Sequence, residues 1–337
     1  MIWVQFVICL SVIILVGTRL SKYGDIIAEK TGMGRIWVGI VLLATITSLP
    51  EVATGISSVA IIKNPDLAIG DLFGASLLNL AIIAVVDVLY KKGPILHFLG
   101  TGIVLATILS VLLIAAAATS IFLAHSVLSA SIFGFIGIYS PILLCIFFLS
   151  QYMLFLFKIR QTDSTDETDS QGNEYASISL KRTILYFSLT AIAIIGAGTW
   201  LGFIGDQIAD STGMKASFVG TLFLAISTTA PEMVVSISAA RLGALEMAVA
   251  NVVGSNLFNI GVIIFLNDLF FHEGPILKYV STGHILTALF ALMMSSIVII
   301  GVIFRPKFWI KSWVGIDTTF IAILYISALV TLYFFGR

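Results

Sequence analysis

Two segments of the chain place a glutamate directly after a proline in otherwise apolar sequence: TITSLPEVAT, Thr45–Thr54, and AISTTAPEMV, Ala225–Val234. Glu51 follows Thr47 by four residues and Ser48 by three, which puts all three side chains on one face of a helix. Thr228, Thr229 and Glu232 repeat the arrangement. Proline has no N–H, and its ring crowds the carbonyl four residues back, so the carbonyls of Ile46 and Ser227 are expected to be loosened. Each segment thus offers a carboxylate, two hydroxyls and a carbonyl. These are hard oxygen donors with no His or Cys among them, a set that suits Ca²⁺ or Na⁺ better than Zn²⁺ or copper. The next apolar segment of each region adds a polar stripe. Asn251, Ser255 and Asn259 fall at i, i+4 and i+8, and the earlier counterpart reads Asp71, Ala75 and Asn79. A single Pro-Glu pair in a membrane helix is most simply a kink, and a single Asn/Ser stripe is helix–helix glue. The recurrence of both, in register, is what points to an ion site.

Such residues need elements that hold them inside a membrane. The chain has 337 residues, of which 59% are hydrophobic and only 11% charged, against about a quarter charged in a soluble domain. Mean hydropathy is +1.09. Apolar runs long enough to cross a bilayer recur throughout. We read ten spans, at about 2–19, 35–62, 66–90, 97–119, 127–157, 183–205, 216–241, 245–270, 281–304 and 313–335. Each must be helical, because only a helix satisfies its own backbone in lipid. The expected fold is an all-α polytopic membrane protein. The first span lacks a basic segment before it and is read as a retained helix rather than a cleaved signal. A net charge of zero excludes a strongly basic nucleic-acid binder. Cys9 and Cys145 lie in apolar spans and read as small buried hydrophobes rather than a disulfide or metal clip.

The ten spans divide into two copies. Gly17–Glu51 and Gly198–Glu232 are identical at 17 of 35 positions without a gap, and the likeness continues through GASLLNL (74–80) against GSNLFNI (254–260) and GPIL (93–96 against 274–277). Each copy holds five spans, an odd number, so the second must be inverted relative to the first. That is a transporter design whose site lies near the bilayer midplane. The expected units are residues 1–157 (motif 44–80), a polar linker 158–182 and residues 183–337 (motif 225–260). The linker, KIRQTDSTDETDSQGNEYASISLKR, has the composition of a solvated connection. Counting Lys and Arg, fourteen fall on the linker's side and four on the side of the termini. This places the linker in the cytoplasm and both termini outside; the plasma, or inner, membrane is the expected location.

TSLPE and TTAPE, each followed by G-[AS]-[SN]-L-[LF]-N, resemble the two alpha-repeats of the cation/calcium exchanger superfamily, which includes sodium/calcium exchangers. The resemblance covers both halves. It implies secondary active antiport of Ca²⁺ against Na⁺ by alternating access, with H⁺ as the alternative coupling ion, and neither an enzyme activity nor a cofactor. It implies a metal site formed by Glu51 and Glu232 with Thr47, Ser48, Thr228, Thr229, Ser255, Asn259 and Asn79. The first copy departs from the superfamily pattern: Asp71 stands for an amide and Ala75 for a hydroxyl. Asp71 is expected either to hold a coupling Na⁺ or to carry a proton when the site is empty. Inorganic cations and the lipid bilayer are the expected partners, and no oligomeric state is indicated. An intramembrane hydrolase would need a nucleophile–base pair, and a channel would need a filter; neither pattern occurs. Asp25 and Asp206 read as helix-end hydrogen-bond groups, and Asp87, Asn267 and Asp268 as solvated residues at helix exits. The four histidines, unpaired between the copies, read as interfacial.

Overall fold

The computed structural model describes residues 2–126, 131–132, 134–164, 175, 178–212, 224–307, 309–311 and 313–335. Among these, nine helices are long and apolar enough to cross a membrane. They are α1 (Ile2–Thr31), α2 (Arg35–Ala60), α3 (Pro65–Tyr90), α4 (Thr101–Ser126), α5 (Tyr139–Ser164), α6 (Leu180–Thr212), α9 (Leu245–Phe270), α10 (Gly283–Phe304) and α11 (Ile316–Phe335). The expected span 216–241 lies partly outside the described residues. Its described part is a short helix α7 (Ala225–Thr228) and a longer one α8 (Ala230–Arg241). The polytopic, all-helical fold is therefore the one expected.

Two expected spans start too early in the sequence reading. Residues 127–157 do not form one helix: α5 begins at Tyr139, after an antiparallel hairpin of β1 (Ser131–Ile132) and β2 (Ile136–Gly137). Likewise α11 follows a hairpin of β3 (Trp309–Lys311) and β4 (Val314–Gly315). Both apolar runs pass without a break from hairpin to helix, so hydropathy alone cannot separate them. Backbone pairing with another strand satisfies these short segments at the helix ends.

At the centre lie α3 and α9. Apart from their polar stripes both carry apolar residues all round and are almost wholly buried, as expected of helices surrounded by protein. They run in opposite directions. One end of the molecule gathers residues 61–66 with 271–284: Lys63 pairs with Glu273 at 3.7 Å, and Asp66 accepts from the Ser281 N–H at 2.6 Å. The other end gathers 91–100 with 305–315, where Arg305 donates to the Leu99 carbonyl. Helix α3 starts at the first end and finishes at the second. Helix α9 starts at the second, where Glu246 accepts from the Gly100 N–H at 3.1 Å, and finishes at the first. Equivalent helices of the two copies are thus inverted. Small residues set their packing: a Cβ on Gly254 of α9 would lie 2.6 Å from the Ile40 Cα of α2.

The register between the copies shifts inside α9. The stretch Asn79–Asp87 matches Asn259–Asp268, which is longer by a single position. The extra residue falls where Asn259–Ile263 form a π-helical turn, a wider turn that absorbs an insertion without breaking the helix.

Asp87 and Asp268 are not solvated, nor is Asn267: all three are fully buried. Asp87 accepts from the N–H groups of Ile95 and Gly315 and from the Thr318 hydroxyl. Asp268 accepts from the N–H groups of Ile276 and Gly137 and from the hydroxyls of Ser140 and Tyr139. Each aspartate therefore ties the turn after its own helix to the hairpin that precedes the last helix of the other copy. This is why a charged residue at a helix end stays inside. Asp25 does make a helix-end contact, an ion pair with Arg35 at 2.6 Å that also receives the Tyr175 hydroxyl; the side chain of Asp206 is outside the described residues. His284, expected at an interface, is buried and bonds Asp66 at 3.0 Å.

Candidate functional site

The two Pro-Glu segments break their helices as their prolines predict. Helix α2 is interrupted at Ser48 (φ −88°, ψ 5°), and Thr229 separates α7 from α8 (φ −80°, ψ 0°). Each break opens a new helix N-terminus, with Pro50 or Pro231 in its first turn, where a missing N–H costs nothing. Glu51 and Glu232 occupy these first turns. There the unpaired N–H groups and the helix dipole favour negative charge. Gly198 of α6 covers both breaks: a Cβ there would lie 2.5 Å from Pro50 Cγ and 3.2 Å from that of Pro231. The two half-helices thus meet under one glycine.

Ser48 and Thr229 stand at N-cap positions but make no capping bond. A capping hydroxyl ordinarily accepts from the second or third N–H of its own helix. Ser48 instead donates across the copies to Glu232 Oε1 at 2.9 Å, and Ser255 reaches the same oxygen at 3.4 Å. Asp71 accepts from Thr228 at 3.1 Å and from Thr54 at 3.3 Å, again joining both copies. Thr47 bonds the Leu43 carbonyl at 3.0 Å and lies 3.4 Å from Asn251 Oδ1.

Around this framework several fully buried polar atoms have no hydrogen-bond partner among the described residues. They are both carboxylate oxygens of Glu51, Oε2 of Glu232, the Thr229 hydroxyl, Oδ1 of Asn79 and both amide atoms of Asn259. Most are acceptors. A carboxylate in a membrane interior is costly without a partner, and a set of unmatched oxygen acceptors is what a hard cation needs. Among the described residues no group of three or more His, Cys, Asp and Glu is arranged to hold a metal. The donor set is two glutamates with hydroxyls and amides, and Asp71 is held to one side by its two threonines.

A family model described as "Sodium/calcium exchanger protein" matches residues 1–159 and 182–335. The chain belongs to the sodium/calcium exchanger protein family. Within that family, its similar relatives include the sodium/calcium exchanger MaX1 of Methanosarcina acetivorans, 31% identical over 48% of this chain and 44% of the relative. The inner membrane protein YrbG of Escherichia coli is 22% identical over 91% of this chain and 88% of its own length. A solved structure of the sodium-calcium exchanger NCX_Mj, soaked with 2.5 mM Na⁺ and 0.1 mM Ca²⁺, shares the fold with a TM-score of 0.71. It is 18% identical and covers 97% of both chains.

In this exchanger-family chain the ten expected site residues divide into three groups. Glu51, Glu232, Ser48, Thr228, Ser255 and Asp71 are joined by the hydrogen bonds above or by the paired helix breaks. Thr47 and Thr229 flank them. Asn79 and Asn259 lie further along α3 and α9, and Asn79 donates to Asn256 Oδ1 at 3.0 Å. Sequence reading missed Asn256, which also bonds the Ser76 carbonyl at 3.3 Å and so clamps α3 to α9. It also missed Thr54, the second partner of Asp71, and Ser236, which accepts from Asn251 at 3.0 Å. Thr54 and Ser236 were detectable: each lies within about one turn of a motif glutamate. The loosened carbonyl expected at Ile46 is not free, because the Ser48 N–H reaches it as well as that of Ala44.

Proposed function

We propose that the chain is a secondary antiporter that exchanges Ca²⁺ for Na⁺ by alternating access around the paired helix breaks. The observation that carries this reading is the meeting of Glu51 and Glu232, one from each inverted copy, with three of their four carboxylate oxygens unpaired in a buried site. Ca²⁺ takes about 6–8 oxygens at about 2.3–2.6 Å. Glu51, Glu232, Thr47, Ser48, Thr228, Thr229 and Ser255 would supply them to the substrate ion, with Asp71, Asn79 and Asn259 serving Na⁺. The family and the archaeal relative carry both ions in their names. Residues 1–157 and 183–337 would act as the two transport units, with the linker 158–182 in the cytoplasm and both termini outside an inner or plasma membrane. H⁺ coupling is the second reading, favoured by Asp71: a third buried acid that can take a proton when cations leave.

The test is transport by protein reconstituted in vesicles loaded with Na⁺ or carrying a pH gradient. Ca²⁺ uptake driven by Na⁺ and not by the pH gradient is expected, and the reverse result selects H⁺. Glu51→Gln and Glu232→Gln should each abolish uptake while the protein stays folded in detergent. Normal uptake by either variant would sink the assignment.

A further inference from the structure

Beyond the central site, the two copies differ in the chemistry they place one helical turn past their glutamates. Gly55 lies one helical turn past Glu51 on α2, toward the end where residues 61–66 meet 271–284. The space in front of it is filled by the side chain of Asn267 on α9: a Cβ on Gly55 would stand 2.7 Å from Asn267 Oδ1 and 2.9 Å from Nδ2. Asn267 is fully buried, and neither its amide oxygen nor its nitrogen has a hydrogen-bond partner among the described residues. A buried amide with both groups unsatisfied is uncommon and calls for a polar partner beside it.

The matching positions in the other copy are built differently. Ser236 stands for Gly55, and its hydroxyl is occupied by Asn251 Nδ2 at 3.0 Å. Val86 stands for Asn267, each directly preceding the buried aspartate of its copy, Asp87 or Asp268. Val86 lines, with Ile237 and Ala240, a hollow of about 170 Å³ that opens beside Lys92 and Arg241. The first position therefore holds an unpaired amide, and the second aliphatic groups beside a hollow with cationic side chains at its rim.

We propose that Asn267, with the room left by Gly55, forms a polar gate on the route between Glu51 and the 61–66/271–284 face, offering its amide to cations as they shed water. The gate rests on the antiport reading for its substrate, but not for its accessibility. Its amide oxygen presents an acceptor both to the ion and to the O–H groups that the ion's remaining waters point outward. A leucine of similar size would remove that acceptor.

The experiment uses the full chain in vesicles, with Cys9 and Cys145 replaced. Asn267→Cys should react with a membrane-impermeant cationic thiol reagent added at the 61–66/271–284 face and not at the other. This readout needs no transport, so it holds even if the coupling ions are misassigned. Asn267→Leu should raise the half-saturating Ca²⁺ concentration at that face about tenfold and leave the opposite face within twofold. Equilibrium Ca²⁺ binding in detergent should stay unchanged, and Asn267→Gln should restore the wild-type value. A cysteine unreactive from that face under every ion condition, or equal kinetic shifts at both faces, would overturn the proposal.

Discussion

Asp71 is the residue at which the chain departs most from the pattern it otherwise follows, and its contacts say how it can be tested. Its two oxygens accept from Thr54 and Thr228, hydroxyls that can turn to accept instead. Asp71→Asn should therefore fold normally. A carboxylate must lose its proton before it can hold a cation, so proton and metal compete for it. We expect the variant to transport Ca²⁺ with an altered Na⁺ or pH dependence and with Ca²⁺ affinity less affected than in Glu51→Gln. Matching Na⁺ and pH profiles would make Asp71 purely structural. At this scale the sequence disclosed the acids and hydroxyls because they recur in register in the two copies. It did not disclose that Ser48 serves Glu232 rather than its own helix end, nor that Asn256 clamps α3 to α9. Those bonds join residues of different copies and depend on how closely the copies pack, which the glycine contacts decide.

The elements were legible to the extent that hydropathy reports them. Helix breaks at Ser48 and Thr229 follow from proline, and inversion follows from five spans per copy. The hairpins before α5 and α11 were hidden inside apolar runs, and Asp87 and Asp268 were misread because a charge at a helix end is usually wet. Their burial leads to a prediction about stability. Removing the Asp268 carboxylate leaves the N–H groups of Gly137 and Ile276 and two hydroxyls without their acceptor. Each buried unsatisfied group costs about 1–3 kcal/mol. Asp268→Ala and Asp87→Ala should each lower the thermal unfolding midpoint in detergent by several degrees, whereas Asp169→Ala in the linker should not. Unchanged midpoints would show that hairpins and turns are held by other contacts. A change of Gly254 to Val should be harsher, because the clash is with the backbone around Ile40 rather than with a side chain that can move.

For the molecule as a whole, cation binding at the proposed central site would couple to folding. An ion that binds only the folded state stabilises it by about 2.7 kcal/mol at a hundred times its Kd. Ca²⁺ should therefore raise the unfolding temperature of the wild-type protein in a concentration-dependent way, and Glu51→Gln should lose that response. A Glu51→Gln midpoint that still rises with Ca²⁺ as in the wild type would place the stabilising ion elsewhere.

The pair of buried aspartates also bears on how the chain is made. Ser140, near the start of α5, finds its acceptor on Asp268, 128 residues further along. At about 5–20 residues per second, a ribosome needs roughly 6–26 s to supply it. The fifth helix thus enters the bilayer with its anchor still untranslated, and it must wait there, unmoored at one end, for a helix of the opposite orientation to arrive. The last helix meets no such delay, since Asp87 has long been in place when Thr318 emerges. Two co-expressed fragments, 1–157 and 183–337, should accordingly need each other: either made alone would leave an aspartate and a hairpin without the partner that only the other fragment encodes.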